Sequence, residues 1–257
     1  MTARFFPSVW LWLAFCAAGL SVNLARALEI EWVTAGDPGN TPDTNGLGAA
    51  AYPFQISKLE VSVGQYAEFL NAVAANDPHG LWVAGQKIDR SGNPDTFRYA
   101  AQAGREREPV MRVTFLNMMR FANWLHHSGG RGDTETGAYS LAGSDGLAKL
   151  ETSATVWIPY ENEWFKAAYF QPPTTGGSPG SYGTYPTRSD LAPKLAKPGD
   201  AWEWIEATVF GTHLVIRGGS MCASHEKLLY KVRTHATPTR RYPDTGFRLA
   251  RAMPPSS

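Results

Sequence analysis

Cysteine is nearly missing from this 257-residue chain: only Cys16 and Cys222 occur, and Cys16 lies within an apolar N-terminal stretch. If that stretch is removed, Cys222 stands alone and no intramolecular disulfide can form. Excess charge of either sign is lacking too. The 24 Lys and Arg residues face 23 Asp and Glu. Without Arg4 and Arg26 the balance is 22 against 23, a formal charge of −1. No basic face for nucleic acid is expected from such a composition. Long apolar runs are also missing beyond Phe5–Leu20, which is itself short for a membrane-spanning helix, and there are few repeats of any kind.

What the N-terminus does contain reads as an export signal: an early Arg4, the apolar run, and Ala25-Arg26-Ala27 as a small-x-small cleavage site. Residues 1–27 are therefore expected to be a signal peptide. The mature protein would begin at Leu28, be exported to the periplasm or secreted, and have no membrane contact after cleavage. Phe15 stands where a small residue is needed before a lipidated cysteine, which argues against lipid attachment at Cys16. Residues 28–257, about 230 in number, suit a single domain with a substantial core.

Patterning points to an irregular, loop-rich α+β fold. Glu29–Val33 and Tyr52–Val61 alternate like strands. Ser62 and Gln65 have the form of a capping box, and Tyr66, Phe69, Leu70 and Val73 follow at helical spacing. A second helix is predicted from Thr114, with Met118, Phe121, Ala122 and Leu125 on one face; His126-His127 would close it as a partial cation. Pro159 opens a third helix carrying Trp164, Ala167 and Ala168 on one side. Gln171–Lys197, rich in Pro, Gly, Ser and Thr, reads as loop. Seven tryptophans distributed along residues 28–257 suit a fold pinned by aromatic anchors.

Three segments concentrate the chemical signals: Gly199–Trp204 (GDAWEW), Arg217–Cys222 (RGGSMC) and Gly246–Arg248 (GFR). Two successive glycines let the backbone approach another group closely just before Ser220 and Cys222. Glu203, flanked by Trp202 and Trp204, reads from its residue type as the partner of an arginine. Arg217, Arg233 and Arg248 are expected to pair with Glu203, Asp244 or a ligand carboxylate. His213 and His235 are isolated and receive no role.

In order, WIPYENEW (157–164), KAAY, SYGTYPTRSD, GDAWEW, RGGS and GFR, preceded by YPFQISKLEVSVGQYAEFLNAV and RFANWLHH, resemble the formylglycine-generating enzyme (sulfatase-modifying factor) family. The resemblance implies a C-type-lectin-like fold. It also implies a copper-dependent oxidase that converts a cysteine in a sulfatase CxPxR segment to formylglycine. That chemistry uses two cysteines, three and eight positions after the serine of GGS. Here Ser220 matches the serine. Cys222 falls one residue short of register, SHEKLLY fills the region of the second cysteine, and Lys227 stands five residues beyond Cys222. Copper(I) is suited by soft thiolate pairs, so sulfatase maturation is not expected. Cys222 is the catalytic candidate, with His225 as a nitrogen donor in a mixed copper site. The resemblance further implies calcium at Gly199, Ala201 and Glu203, with Asp200 in place of the usual asparagine. It places Ser220 and Trp204 on a substrate groove for a protein or peptide. Two functions follow: an exported oxidase-like enzyme with a different substrate or metal site, or a non-catalytic module that binds peptide or glycan.

Overall fold

The computed structural model describes residues 28–128, 133–144, 146–173, 180–186, 190–191 and 201–254. The expected signal peptide and Gly199 lie outside the described residues. Strands β1 (Trp32–Ala35) and β2 (Phe54–Ser57) lead to helix α1 (Val63–Val73). Strands β3 (Ile88–Ser91) and β4 (Arg98–Ala101) precede α2 (Phe115–His126). Then come β5 (Val156–Trp157), α3 (Glu161–Tyr169), β6 (Phe170–Gln171) and β7 (Ser181–Tyr182). The C-terminal part holds β8 (Trp202–Val209), β9 (His213–Arg217), a 3₁₀ turn at His225–Leu228, β10 (Thr234–Ala236), β11 (Thr245–Gly246) and β12 (Ala250–Ala252).

Local sequence accounts for each helix start. The Ser62 hydroxyl accepts from the Gln65 amide at 3.2 Å, and the Ser62 amide donates to Gln65 Oε1 at 2.8 Å, which satisfies two free helix-end donors reciprocally. Thr114 caps α2 by accepting from the Asn117 amide at 3.1 Å. Pro159 precedes α3 by two residues, and Glu163 reaches back to the Tyr160 amide at 2.8 Å. The predicted histidine cap on α2 differs in kind. Burial and the neighbouring His127 push the His126 pKa down, and its Nδ1 accepts from the Thr155 amide at 3.2 Å. The ring works as a neutral acceptor tying the helix end to a loop.

The predicted strands are displaced or cut short. The first runs Trp32–Ala35, and the second ends at Ser57, where the hydroxyl turns to the Leu59 carbonyl at 2.8 Å. The segment Gln171–Lys197, expected to be loop, contributes strand instead where it is described, pairing β7 with β6. Two four-stranded sheets, ordered β1-β2-β12-β5 and β10-β9-β8-β11, carry the architecture. In the first, β12 lies between β2 and β5, pairing antiparallel with both. In the second, β11 runs parallel to β8, matching Thr245 to Trp202 and Gly246 to Glu203. This is the α+β, C-type-lectin-like fold that the sequence leads one to expect.

Aromatic rings from distant segments hold these layers together. Phe121 of α2 stacks on Tyr66 of α1 at 6.0 Å. It also meets Phe69 at 5.2 Å, Trp124 at 5.5 Å and Phe247 at 5.6 Å. Four of these five rings have no solvent exposure, and Trp124 has only 3%. Offset and edge contacts of this kind add to the transfer free energy of burial. Replacing the hub ring, Phe121→Ala, is expected to lower unfolding free energy by about 3–5 kcal/mol, read as a drop in the urea midpoint at unchanged slope.

Candidate functional site

Strand pairing brings the three signal segments together around α3. Glu203 on β8 is the register partner of Arg217 on β9, yet the two side chains find other partners. Arg217, 1% exposed, donates Nε to Glu161 Oε1 at 2.8 Å and Nη1 to the carbonyls of Tyr230 and Val232 at 2.9 and 3.2 Å. Arg233 also reaches Glu161, at 3.3 Å. Glu203 accepts from Trp164 Nε1 at 2.8 Å and from Arg248 Nε at 3.0 Å through each carboxylate oxygen. Arg248 extends to Glu60 Oε2 at 3.2 Å and to the carbonyls of Ser57 and Lys58. Burial pushes the Glu203 carboxyl up, Arg248 pulls it back, and the negative charge of Glu60 raises it again.

The glycines are demanded by close approach. Gly218 and Gly219 sit at φ of 101° and 73°, a region that favours glycine. A β-carbon on Gly218 would lie 3.2 Å from the Trp164 ring, and one on Gly219 only 2.8 Å from Leu228 Cδ2. Gly246, the first residue of GFR, brings its backbone against Val110, whose carbonyl oxygen would be 2.9 Å from an added β-carbon. Phe247 then enters the aromatic core and Arg248 the Glu203 site, so each letter of the motif has a distinct task.

Of the residues expected to line a groove, two are shut in. Trp204 has no exposure and packs against Phe115 and Tyr242 at 6.1 and 6.2 Å. It is a core residue, because burying so large an apolar area outweighs leaving its Nε1 without a hydrogen-bond partner. Ser220 is 2% exposed and donates its hydroxyl to Asp244 Oδ2 at 3.1 Å. Cys222 is exposed two residues further on, and His225 begins the 3₁₀ turn. Lys227 is also exposed. Sequence reasoning missed Trp164, Glu60 and Glu161 as participants. The strand character of WEWIEATV and HLVIR was the available signal for their arrangement.

Neither implied metal finds a ready cage. Calcium takes six to eight oxygens, but both oxygens of Glu203 are engaged by Arg248 and one also by Trp164, and Ala201 is buried. The described residues therefore do not fit calcium unless Arg248 moves away. Two-sulfur copper(I) does not fit either, since Cys222 has no second cysteine downstream. Among the described residues no group of three or more His, Cys, Asp or Glu side chains is placed to hold a metal.

A loop-rich α+β domain with Arg217, Gly218-Gly219 and Arg248 locked around a tryptophan-bearing helix defines a C-type-lectin-like class of protein. The chain belongs to the family described as the sulfatase-modifying factor enzyme 1-like domain, whose model matches residues 45–198, more than half of the sequence. The fold is similar to the crystal structure of CarF, at 20% identity and a TM-score of 0.53, covering 88% of this chain and 100% of that one. Treponema denticola variable protein 1 aligns at 18% identity and a TM-score of 0.49, covering 87% and 95% of the two chains. PvdO from Pseudomonas aeruginosa aligns at 17% and 0.45, covering 87% and 92%. No curated protein sequence matches the chain.

Removing one partner of a buried ion pair leaves the other charge uncompensated. Arg248→Gln is therefore expected to cost about 3 kcal/mol at neutral pH. The loss should shrink on acidification: without Arg248 the folded-state pKa of Glu203 rises further above its unfolded value, so stability declines as pH rises between the two. Urea melts of both proteins at pH 5 and pH 7.5 test this, and a pH-independent difference would contradict it.

Proposed function

We propose that this chain is an exported family member with an oxidase-like, single-thiol site that acts on a substrate other than the sulfatase CxPxR segment. One observation carries this reading. Cys222 is exposed on the loop that follows the Gly218-Gly219 pair, while Lys227 stands five residues beyond it, the spacing at which the family carries its second cysteine. A protonated amine repels copper(I) where a second thiolate would bind it. Any copper at this loop would rest on Cys222 with His225 as nitrogen donor. Calcium at Gly199, Ala201 and Glu203 belongs to the same proposal and requires Arg248 to release Glu203.

The near-complete burial of Ser220 favours a second reading, a non-catalytic module binding peptide or glycan, because a hydroxyl held by Asp244 is not presented to a substrate. Copper separates the two. Under the first reading, copper titration of wild type saturates and Cys222→Ala abolishes it; under the second, both proteins are silent.

Incubation with copper, oxygen and a CxPxR peptide should leave the peptide thiol intact by mass spectrometry; formylglycine formation abolished by Cys222→Ala would refute the proposal. N-terminal sequencing of exported material should begin at Leu28. If calcium binds, the melting temperature of wild type rises with calcium relative to chelator, and the increment is lost in Glu203→Gln. No increment in wild type removes calcium from the proposal.

A further inference from the structure

A second feature of the fold lies at the α3 N-terminus. The loop Leu47–Tyr52, the first turn of α3 and the middle of β8 enclose a cleft of about 390 Å³, within the range of about 300–1,000 Å³ typical of small-ligand sites. Its lining combines apolar residues, Leu47, Ala49, Ala50 and Ala51, with three acidic ones, Glu161, Glu163 and Glu206.

These three glutamates are not equivalent. Glu161 is neutralised by Arg217 and Arg233. Glu163, 1% exposed, accepts from Tyr52, Trp157 and the Tyr160 amide. All of those donors are uncharged. Among the described residues Glu206 accepts from the Tyr139 hydroxyl alone, at 2.6 Å through Oε2; the side chain is half-buried, and Oε1 has no protein donor there but remains within reach of solvent. No arginine or lysine pairs with Glu163 or Glu206 among the described residues, and the negative charge of Glu163 adds to burial in raising the Glu206 pKa. A cation beside a carboxylate that is partly drawn out of water favours its ionised form. Among the described residues the protein supplies none to Glu163 or Glu206, and open space lies beside them.

We propose that the cleft binds an alkylammonium group, as carried by a lysine side chain, with Glu206 as its principal acceptor and the alanines of the lining covering its methylenes. A bare metal ion is a poorer occupant: no three acidic or histidine side chains converge among the described residues, and the volume exceeds that of one ion. Burial holds the Glu206 carboxyl at about 7, so the bound cation would also draw this group into its ionised form. The proposal is independent of the chemistry at Cys222.

The test is calorimetric titration of the full-length mature protein with N-acetyl-lysine N-methylamide, its norleucine analogue and the free diamine cadaverine. Saturable binding of the lysine derivative or of cadaverine, with norleucine silent, supports the site, and the tighter of the two identifies a peptide side chain or a free amine as the source. Glu206→Gln should weaken binding about tenfold or more, the scale of a lost charged hydrogen bond, while retaining the wild-type circular dichroism spectrum. Ala51→Trp, at an exposed position on the rim, should block entry without touching a carboxylate. Equal binding of the norleucine analogue, no binding of either amine, or unchanged affinity in both variants would overturn the proposal.

Discussion

The guanidinium of Arg248 is the point on which the C-terminal half is organised. It satisfies a buried carboxylate on β8, a second carboxylate at Glu60 and two backbone carbonyls after β2. Two segments distant in sequence, residues 57–60 and β8, are thereby fixed to one planar group. A lysine could not reproduce this fork of donors. The Trp164 indole completes the arrangement by donating to Glu203 while its ring lies against Gly218, so the position of the RGGS loop follows from the same ion pair.

Charge is divided around α3 in a consistent manner. On the face toward β9, Glu161 meets two arginines; on the face toward the Leu47–Tyr52 loop, Glu163 meets only neutral donors. Burial raises Glu163, and it also pushes the nearby Tyr160 hydroxyl up to about 12. One side of the helix start is a closed electrostatic lock and the other a region of low dielectric with negative charge in deficit of partners. Glu161 and Glu163 stand only two residues apart, about half a helical turn.

Much of the helical architecture was legible because its determinants are local. Ser62 with Gln65, Thr114, and Glu163 behind Pro159 each act within three or four residues, and the structure places each as its spacing demands. Strands β8 and β9 were harder to see. Trp202–Val209 buries three residues in succession, Glu203, Trp204 and Ile205, which breaks alternation, and its pairing with β9 shifts register between Ile205 and Thr208. Of the three arginines expected to meet Glu203, Asp244 or a ligand carboxylate, Arg248 does pair with Glu203, whereas Arg217 and Arg233 turn to Glu161 at the start of α3. The burial of Trp204 was not legible, since similarity to a family transfers a position in the chain but not its depth. Glu206 gave no signal at all: an acidic residue becomes distinctive only when folding removes its water and supplies no cation.

The placement of β12 has a kinetic meaning. Arg251 donates to Gln55 across a separation of 196 residues, and β12 is the strand that joins β2 to β5. Until it arrives, the sheet consists of a two-stranded ribbon and an isolated β5, neither of which is stable alone in water. Closure of so long a loop must precede the gain in pairing. The aromatic cluster and α1 can condense earlier, but the ordered state waits for the C-terminal strand, and a nascent chain lacking it would expose the β2 edge as a template for pairing with other molecules.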